Sequence, residues 1–178
     1  MTFRLTEEKD LPEILHLYRS VADDPTGIAR SKEEVNESYI QSIWRSIESG
    51  GLGMVAVLDN QIIGEIHASQ KGIHIFDHLL SFLTIGVSPD FQGKGVGKQL
   101  FRAFLSHVES HRTDIYRVEL EARASNIAGI RVYESVGFVL EGRMKNQTRN
   151  ADGSHEDGVS YAWFNKKYDH PIKLSKTR

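Results

Sequence analysis

The chain of 178 residues contains no cysteine. This absence excludes a disulfide framework, a thiolate nucleophile and a zinc site built on cysteine. The sequence also lacks an excess of charge of either sign, because its 22 lysines and arginines are opposed by 24 aspartates and glutamates. A formal net charge of −2 gives no support to a nucleic-acid or anionic-membrane partner, since both attract strongly basic surfaces.

Long hydrophobic runs are absent as well. No stretch approaches the ~18 consecutive apolar residues that a membrane-spanning helix requires. The nearest candidate, residues 79–87, contains serine, threonine and glycine. The first nine residues carry charges where a secretory signal peptide needs an apolar segment. These absences predict a cytosolic protein with no membrane partner.

The composition that remains is typical of one folded domain. Hydrophobic residues make up 39% of the chain and charged residues 26%, which excludes the collagen-like and disordered classes. A chain of this length buries roughly 70% of its unfolded surface and needs no cross-links to be stable. We predict a single domain over residues 1–168, followed by a polar tail over residues 169–178.

Hydrophobic spacing predicts the element order β-α-α-β-β-β-α-β-α-β-β. Asp10 is the predicted N-cap of the first helix, and the capping-box pair Ser31 and Glu34 is predicted to open the second, after a loop over residues 23–27. A hairpin turn is expected at residues 59–61, and two closing strands, 138–144 and 159–164, are expected around a turn at 150–154. The strand 79–87 is predicted to be buried on both faces. This order predicts an α/β (α+β) fold with helices on both faces of a mixed sheet.

The segment after the strand 79–87 carries three alternating glycines, Gly93, Gly95 and Gly97, and then an amphipathic helix. Glycines let backbone N–H groups converge without Cβ clashes. The N-terminus of the following helix adds unpaired N–H groups and the positive end of its dipole. The turn is therefore suited to a phosphate or pyrophosphate group.

Two common phosphate-binding loops do not fit this segment. A Walker P-loop is excluded because Gln92 and Gln99 occupy positions that need glycine and a hydroxyl residue. A dinucleotide fingerprint is excluded because Lys98 and Leu100 occupy the possible positions of its third glycine. The pattern that remains is Gln-x-x-Gly-x-Gly.

A second block lies about one helix and one strand further along the chain. Asn126 is separated by six residues from Tyr133, and the sequence Tyr-Glu-x-x-Gly-Phe ends at Phe138. Together the two blocks resemble the GNAT superfamily of acetyl-CoA-dependent N-acetyltransferases, and the whole chain fits that family's element order. The resemblance implies acetyl-CoA as the cosubstrate. It also implies a mostly antiparallel sheet of about six to seven strands that is splayed in the middle.

The resemblance implies a set of cosubstrate-binding residues. In the family, the strand before the glycine loop splays from its neighbour, and the pantetheine arm completes the interrupted ladder. Gly86 is expected to permit close approach of this arm, and the Val87 N–H to polarise the thioester oxygen. The expected binding residues are Ile85, Gly86, Val87, Gln92, Gly93, Lys94, Gly95, Val96, Gly97, Lys98, Asn126 and Tyr133.

Some of these residues have a second interpretation. Lys94 and Lys98, together with Arg102, either supplement the pyrophosphate site or are solvated helix charges. Asn126 either caps the following helix or bonds the pantetheine, and the two roles can coexist.

Tyr133 is the candidate general acid. The leaving thiolate has a pKa of about 8.5 by analogy with cysteine, so a phenol of pKa ~10 can donate a hydrogen bond or proton to it. The base is left open among Glu121, Glu119 and Glu65, or water. Glu121 is favoured because Leu-Glu-x-Arg-Ala-Ser-Asn resembles the ribosomal-protein N-terminal acetyltransferases, in which the matching glutamate acts as base through water.

The predicted function is transfer of an acetyl group to a primary amine by direct attack, without a covalent enzyme intermediate. A small amine or amino acid is favoured as acceptor, and a protein N-terminus or lysine is the alternative. The acceptor pocket is expected from the early helices, residues 73–78 and the final hairpin. A non-catalytic acyl-CoA sensor is a further alternative, and the sequence leaves open whether the chain forms a homodimer.

A metal site is not predicted. His74 and His78 are four residues apart, as are His107 and His111, but neither pair belongs to a His-Glu-x-x-His motif or has a third ligand at suitable spacing. A Gly-x-Ser-x-Gly nucleophile elbow is also absent from the sequence.

Overall fold

The computed structural model describes residues 1–23, 27–150 and 152–169. Within these ranges the chain forms seven strands and four α-helices. The strands are β1 (Thr2–Leu5), β2 (Leu52–Leu58), β3 (Gln61–Ser69), β4 (Leu79–Val87), β5 (Arg117–Arg123), β6 (Val139–Arg149) and β7 (His155–Phe164). The helices are α1 (Leu11–Ala22), α2 (Glu37–Glu48), α3 (Val96–His111) and α4 (Ile127–Ser135). The predicted element order is confirmed.

The seven strands form one mixed sheet in the order β1-β2-β3-β4-β5-β7-β6. Neighbouring strands are antiparallel except β4 and β5, which are parallel. The predicted fold class, a mixed and mostly antiparallel sheet of six to seven strands, is therefore confirmed.

Helices cover both faces of the sheet. On one side, called the α1/α2 face, both early helices pack over Val55 and Ile62. On the other side, called the α3/α4 face, the larger core includes Met54, Ile66 and Phe104. Successive residues of a strand belong to opposite faces of the sheet, because their side chains point in opposite directions. Within the described ranges, no helix is long and apolar enough to cross a membrane.

The start of α1 differs from prediction in its chemistry. Asp10 occupies the position before the helix, but its side chain makes no capping bond there. Its carboxylate instead accepts from the guanidinium of Arg4 at 2.6 and 2.8 Å and from the Glu7 N–H at 2.8 Å. A charged partner thus takes the capping oxygen, and Asp10 ties β1 to the turn before α1.

The start of α2 was predicted too early. The Ser31 N–H donates to the Glu34 carboxylate at 2.7 Å, as in a capping box, but no helix follows this pair. The helix begins at Glu37, where Asn36 is the N-cap and accepts from the Tyr39 N–H at 3.0 Å. The predicted loop 23–27 lies partly outside the described residues.

The hairpins are tighter or longer than predicted. The β2–β3 turn is formed by Asp59 and Asn60 at φ 49° and 64°, a pair of left-handed residues that suits a two-residue hairpin loop. β6 and β7 extend beyond the predicted 138–144 and 159–164 because they pair to Arg149 and His155. The added part of β6 is polar and exposed, so it carries no apolar alternation in the sequence. The predicted turn 150–154 and tail 169–178 lie partly outside the described residues.

The bounds of β4 are as predicted, but its burial is not. Phe82 is 70% exposed and has a left-handed backbone at φ 56°. The pairing with β3 is irregular here, since His67 lies opposite Thr84 and Ser69 opposite Ser81. The bulge turns an apolar side chain out of the core, and burial on both faces is therefore wrong at this residue.

Candidate active site

The pairing between β4 and β5 ends soon after it begins. The two strands are in register only at Leu79 with Arg117 and Leu80 with Val118. Beyond this point β4 continues along β3 to Val87, whereas β5 continues along β7 to Arg123. The gap between the two strands, called the slot, therefore opens after Leu80 and Val118.

The open edge of β4 offers backbone groups to the slot. The Ser88 N–H donates to the Ile63 carbonyl at 2.9 Å, so Ser88 faces β3. Because peptide groups alternate in direction along a strand, those of Ile85 and Val87 face the slot. The Val87 carbonyl accepts from Nε2 of Gln92 at 3.0 Å. The N–H groups of both residues are left without a strand partner.

Gly86 lies against the ring of Tyr18. Its peptide group faces β3, where it pairs with Glu65. A Cβ added to Gly86 would lie 3.2 Å from the ring of Tyr18 in α1. The missing side chain therefore makes room for Tyr18 on the α1/α2 face, and close approach of a ligand at Gly86 stays a prediction.

The glycine loop presents a row of unpaired N–H groups. Gly93 and Gly95 have left-handed backbones at φ 71° and 82°, and Gly95 is the N-cap of α3. The first helical bond is donated by the Gln99 N–H to the Gly95 carbonyl at 3.1 Å. Among the described residues, none accepts from the backbone N–H groups of residues 93–98. The Gln92 N–H differs, since it donates to the Pro89 carbonyl at 3.3 Å.

Positive charge adjoins this loop. Lys94 Nζ lies 5.3 Å from the ring centroid of Phe91, and Lys98 and Arg102 are one turn apart on α3. No described carboxylate forms an ion pair with any of the three cations. Helix dipole, free N–H groups and unneutralised cations together favour an anion at the loop.

Tyr133 lies on the α3/α4 face among aromatic rings. It is 8% exposed, and its ring centroid is 5.5 Å from that of Phe101 and 6.1 Å from that of Tyr161. Burial raises the pKa of Tyr133 to about 12. The phenol therefore stays protonated at neutral pH, as a proton donor requires.

Asn126 caps α4. Its Oδ1 accepts from the Gly129 N–H at 2.9 Å, and a Cβ on Gly129 would meet the Asn126 amide at 2.6 Å. The side-chain oxygen of Asn126 is therefore used for capping, whereas its side-chain amide nitrogen is available to a ligand.

A cleft of about 360 Å³ lies on the α1/α2 side of the slot. Its walls come from the segment before α2, from α2 itself, from both edges of the slot and from the last two strands. Of the expected walls, α2 and the final hairpin contribute, whereas neither α1 nor residues 73–78 line the cleft. The lining residues are Ile28, Ala29, Arg30, Tyr39, Lys71, Ser81, Phe82, Leu83, Thr84, Arg117, Glu119, Leu120, Glu121, Glu141, Ser160 and Tyr161.

Glu119 is fixed in the cleft wall by three donors. Its carboxylate accepts from Ser81 Oγ at 2.6 Å, Arg117 Nε at 2.9 Å and Lys71 Nζ at 2.9 Å. Burial alone would raise the pKa of Glu119, but the bonds from Ser81, Lys71 and Arg117 outweigh it and lower the pKa to about 2. Arg117 also makes a two-pronged pair with Glu141. Glu119 is therefore a charged structural group and a poor proton acceptor.

Glu121 and Arg30 are the less committed charges of the cleft. The Glu121 carboxylate accepts from the neutral amide of Gln147 at 2.8 Å. The Arg30 guanidinium lies 4.2 Å over the ring of Tyr39, and none of the described carboxylates pairs with it. One anion and one cation in the same cleft thus lack an opposite charge within the described part of the chain.

Glu65, the third candidate base, does not line the cleft. It is fully buried on the α1/α2 face, where it accepts from the Tyr18 hydroxyl at 2.5 Å and contacts His67 Nδ1 at 3.0 Å. His67 and the exposed Phe82 were not predicted as site residues. A period-two pattern from Glu65 to His67 places both side chains on one face and could have indicated the pair.

No group of three or more potential metal ligands is found in the described ranges. His107 and His111 stack with ring centroids 4.6 Å apart at the end of α3.

Comparison with known proteins gives a consistent family. The model of the acetyltransferase (GNAT) family matches residues 13–138. Ribosomal protein bS18-alanine N-acetyltransferase of Salmonella typhimurium is 37% identical over 82 residues, covering 46% of this chain and 53% of the relative. N-acetylaspartate synthetase of Homo sapiens is 34% identical over 89 residues, covering 50% of this chain and 28% of the relative. The chain thus spans about half the length, or less, of these curated relatives.

Solved structures share the fold. A phosphinothricin acetyltransferase of Sinorhizobium meliloti, solved with acetyl-CoA, has a TM-score of 0.82 at 21% identity and covers 97% of this chain and 94% of its own. Ribosomal-protein-alanine N-acetyltransferase from Brucella melitensis has a TM-score of 0.79 at 22% identity, covering 92% of this chain and 99% of its own. The likeness at these identities concerns the fold.

The Glu119 network makes the free energy of unfolding depend on pH. Because the folded pKa of Glu119 lies below the ordinary 4.5, its contribution is present above pH 4.5 and is lost as pH falls towards 2. Glu119→Gln should lower the free energy of unfolding by about 1–2 kcal/mol at neutral pH, after discounting for solvent screening. Urea unfolding at several pH values measures the gap between wild type and variant. A gap that stays constant from neutral pH to about pH 3 would contradict the assigned ionisation.

Proposed function

Because the chain belongs to the GNAT family of acetyltransferases, we propose that it transfers an acetyl group from acetyl-CoA to a primary amine. The slot is the observation that carries this proposal. It connects the anion-binding loop on the α3/α4 face with the charged cleft on the α1/α2 face. Two reactants that enter from opposite faces can meet there without sharing a binding surface.

The residues of the α3/α4 face fit acetyl-CoA. The unpaired N–H groups of residues 93–98 suit its diphosphate, and Lys94, Lys98 and Arg102 add positive charge. The slot-facing N–H groups of Ile85 and Val87 suit the amides of a pantetheine arm, together with the free amide of Asn126. Bound acetyl-CoA supplies an activated acyl group as a thioester. The Val87 N–H is then placed to polarise the thioester oxygen.

The cleft favours a small acceptor. A volume of about 360 Å³ is in the range of small-molecule sites. The uncompensated carboxylate of Glu121 suits an ammonium group, and the Arg30 guanidinium on Tyr39 suits a carboxylate. Names of the relatives include both protein N-termini and small molecules as substrates, so the charges of the cleft carry the preference. We favour an amino acid or a similar small amine over a protein N-terminus or lysine.

Direct attack requires positioning more than covalent chemistry from the protein. Holding amine and thioester together in the slot supplies much of the rate. Tyr133 keeps its proton because its pKa is raised to about 12, and it donates to the departing sulfur. That Glu121 acts as the base stays a prediction, and its charge alone already attracts the ammonium group.

Thiol release tests the function directly. The protein is incubated with acetyl-CoA and a pool of amines that contains pairs differing only in a carboxylate, and free CoA thiol is measured. We expect release above the hydrolysis background, and faster release with the carboxylate-bearing member of a pair. Saturable CoA binding without release for any amine would instead support the sensor. Absence of thermal stabilisation by CoA, which should reach about 2.7 kcal/mol at 100 times Kd, would exclude both.

Tyr133→Phe tests the proton donor. The ring stays in its aromatic cluster, so we expect turnover to fall by ~10²-fold or more while acetyl-CoA affinity barely changes. Steady-state kinetics and calorimetric binding measure the two quantities. Tyr116→Phe, which alters a half-exposed ring on the residue before β5, is the matched control and should leave turnover unchanged. Wild-type turnover in Tyr133→Phe would remove the hydroxyl from the mechanism.

A further inference from the structure

A buried polar cluster lies under α1 on the α1/α2 face. Tyr18 and Glu65 are fully buried, and His67 is 5% exposed. The Tyr18 hydroxyl donates to Glu65 Oε2 at 2.5 Å, the same oxygen lies 3.0 Å from His67 Nδ1, and the hydroxyl oxygen lies 3.3 Å from that nitrogen. The reaction outlined above uses none of these three side chains.

The cluster is costly to bury. Besides Glu65 Oε1, the only fully buried side-chain oxygen or nitrogen without a partner among the described residues is Thr6 Oγ1. A buried carboxylate with one unpaired oxygen destabilises a fold unless a nearby group compensates its charge. The imidazole of His67 is the one basic group in contact with that carboxylate.

The contacts determine which ring nitrogen carries the proton. Nδ1 faces a carboxylate oxygen and a hydroxyl oxygen whose hydrogen is already donated to Glu65. Both neighbours are acceptors, so Nδ1 carries a proton, and in the neutral ring Nε2 then carries the lone pair. The carboxylate thus orients the ring and holds its tautomer, as a catalytic histidine requires.

The free nitrogen reaches open space. Among the described residues Nε2 has no hydrogen-bond partner, yet it is not one of the fully buried unpartnered atoms. His67 lines a second cleft of about 180 Å³. Arg30, Tyr39, Phe82 and Thr84 line both clefts, so the second cleft adjoins the one assigned to the acceptor.

We infer that His67 is the general base of the reaction and that Glu65 and Tyr18 are its positioning residues. This inference rests on the proposed acetyl transfer. Nε2, directly or through water, takes one proton from the ammonium group, and the freed nitrogen attacks the acyl carbon. The C–N bond forms as the C–S bond breaks. The nitrogen loses two protons in all. The first passes through His67 to solvent. Tyr133 donates its own proton to the sulfur and then takes up the second proton from the nitrogen.

The assignment leaves Glu121 with the attraction of the ammonium group. General bases work best when their pKa lies near the working pH, which imidazoles satisfy as a class and carboxylates do not. The groups that face His67 are Glu65 from its own strand, Tyr18 from α1, Tyr39 from α2 and Arg30 before α2. Arg30 is the one cation among them, and its guanidinium stacks on the ring of Tyr39.

His67→Gln tests the base by its dependence on pH. Near neutral pH, where an alkylamine of pKa ~10 is protonated, we expect kcat/KM to fall by ~10²-fold. The loss should shrink to a few-fold as pH approaches ~10, because the free amine needs no base. His16→Gln, on the exposed side of α1, is the control and should match wild type throughout. A loss of the same size at all pH values, or no loss, would overturn the assignment while wild-type acetyl transfer stands.

Histidine NMR tests the positioning role by showing which nitrogen of the His67 ring carries the proton. In ¹⁵N-histidine-labelled wild type, the ring signals that disappear in His67→Gln belong to His67. They should show a neutral ring protonated at Nδ1, and an Nε2-protonated ring would contradict the proposal. Glu65→Gln should lower kcat by ~10-fold with an unchanged KM for acetyl-CoA. Wild-type kcat in a folded Glu65→Gln would remove Glu65 from the mechanism.

Discussion

The two residue pairs that join β4 to β5 are the constraint on which the rest of the structure depends. If the ladder continued, Ile85 and Val87 would spend their N–H groups on β5 and the sheet would seal one face from the other. The ladder instead ends after Leu80, because β5 follows β7 and the bulge at Phe82 redirects β4. The break removes backbone hydrogen bonds between the two strands and leaves the slot-facing N–H groups free to bind a ligand.

The two faces divide the chemistry on either side of this break. The α3/α4 face carries free N–H groups, cations and a buried phenol, which suit an anionic thioester and its leaving group. The α1/α2 face carries ionised carboxylates, an arginine and a histidine held by a buried glutamate, which suit a charged amine. On the α1/α2 face, the missing side chain of Gly86 lets Tyr18 lie against β4 and reach Glu65.

Features that depend on local sequence could be predicted. The glycine loop, the bounds of β4 and the Asn126 to Phe138 block follow from backbone freedom and from side-chain spacing that a sequence displays directly. The start of α2 could not, because Asn36 won the cap over an equally plausible Ser31–Glu34 pair. The roles of Glu119, Glu65 and His67 depend on partners from distant strands and helices. The spacing showed that Glu119 and Glu121 share a face of the sheet. It did not show that Lys71, Ser81 and Arg117 would all donate to the carboxylate of Glu119.

The open slot is tested most directly by amide hydrogen exchange along β4, with and without CoA. An open slot predicts fast exchange at Ile85 and Val87 in the free protein beside slow exchange at Gly86 and Ser88, whose N–H groups face β3. Saturating CoA should slow Ile85 and Val87 by more than tenfold and leave the β3-facing pair unchanged. Protection of all four amides before CoA is added, or no change at Ile85 and Val87 when CoA is bound, would contradict the open slot as the place where the cosubstrate is held.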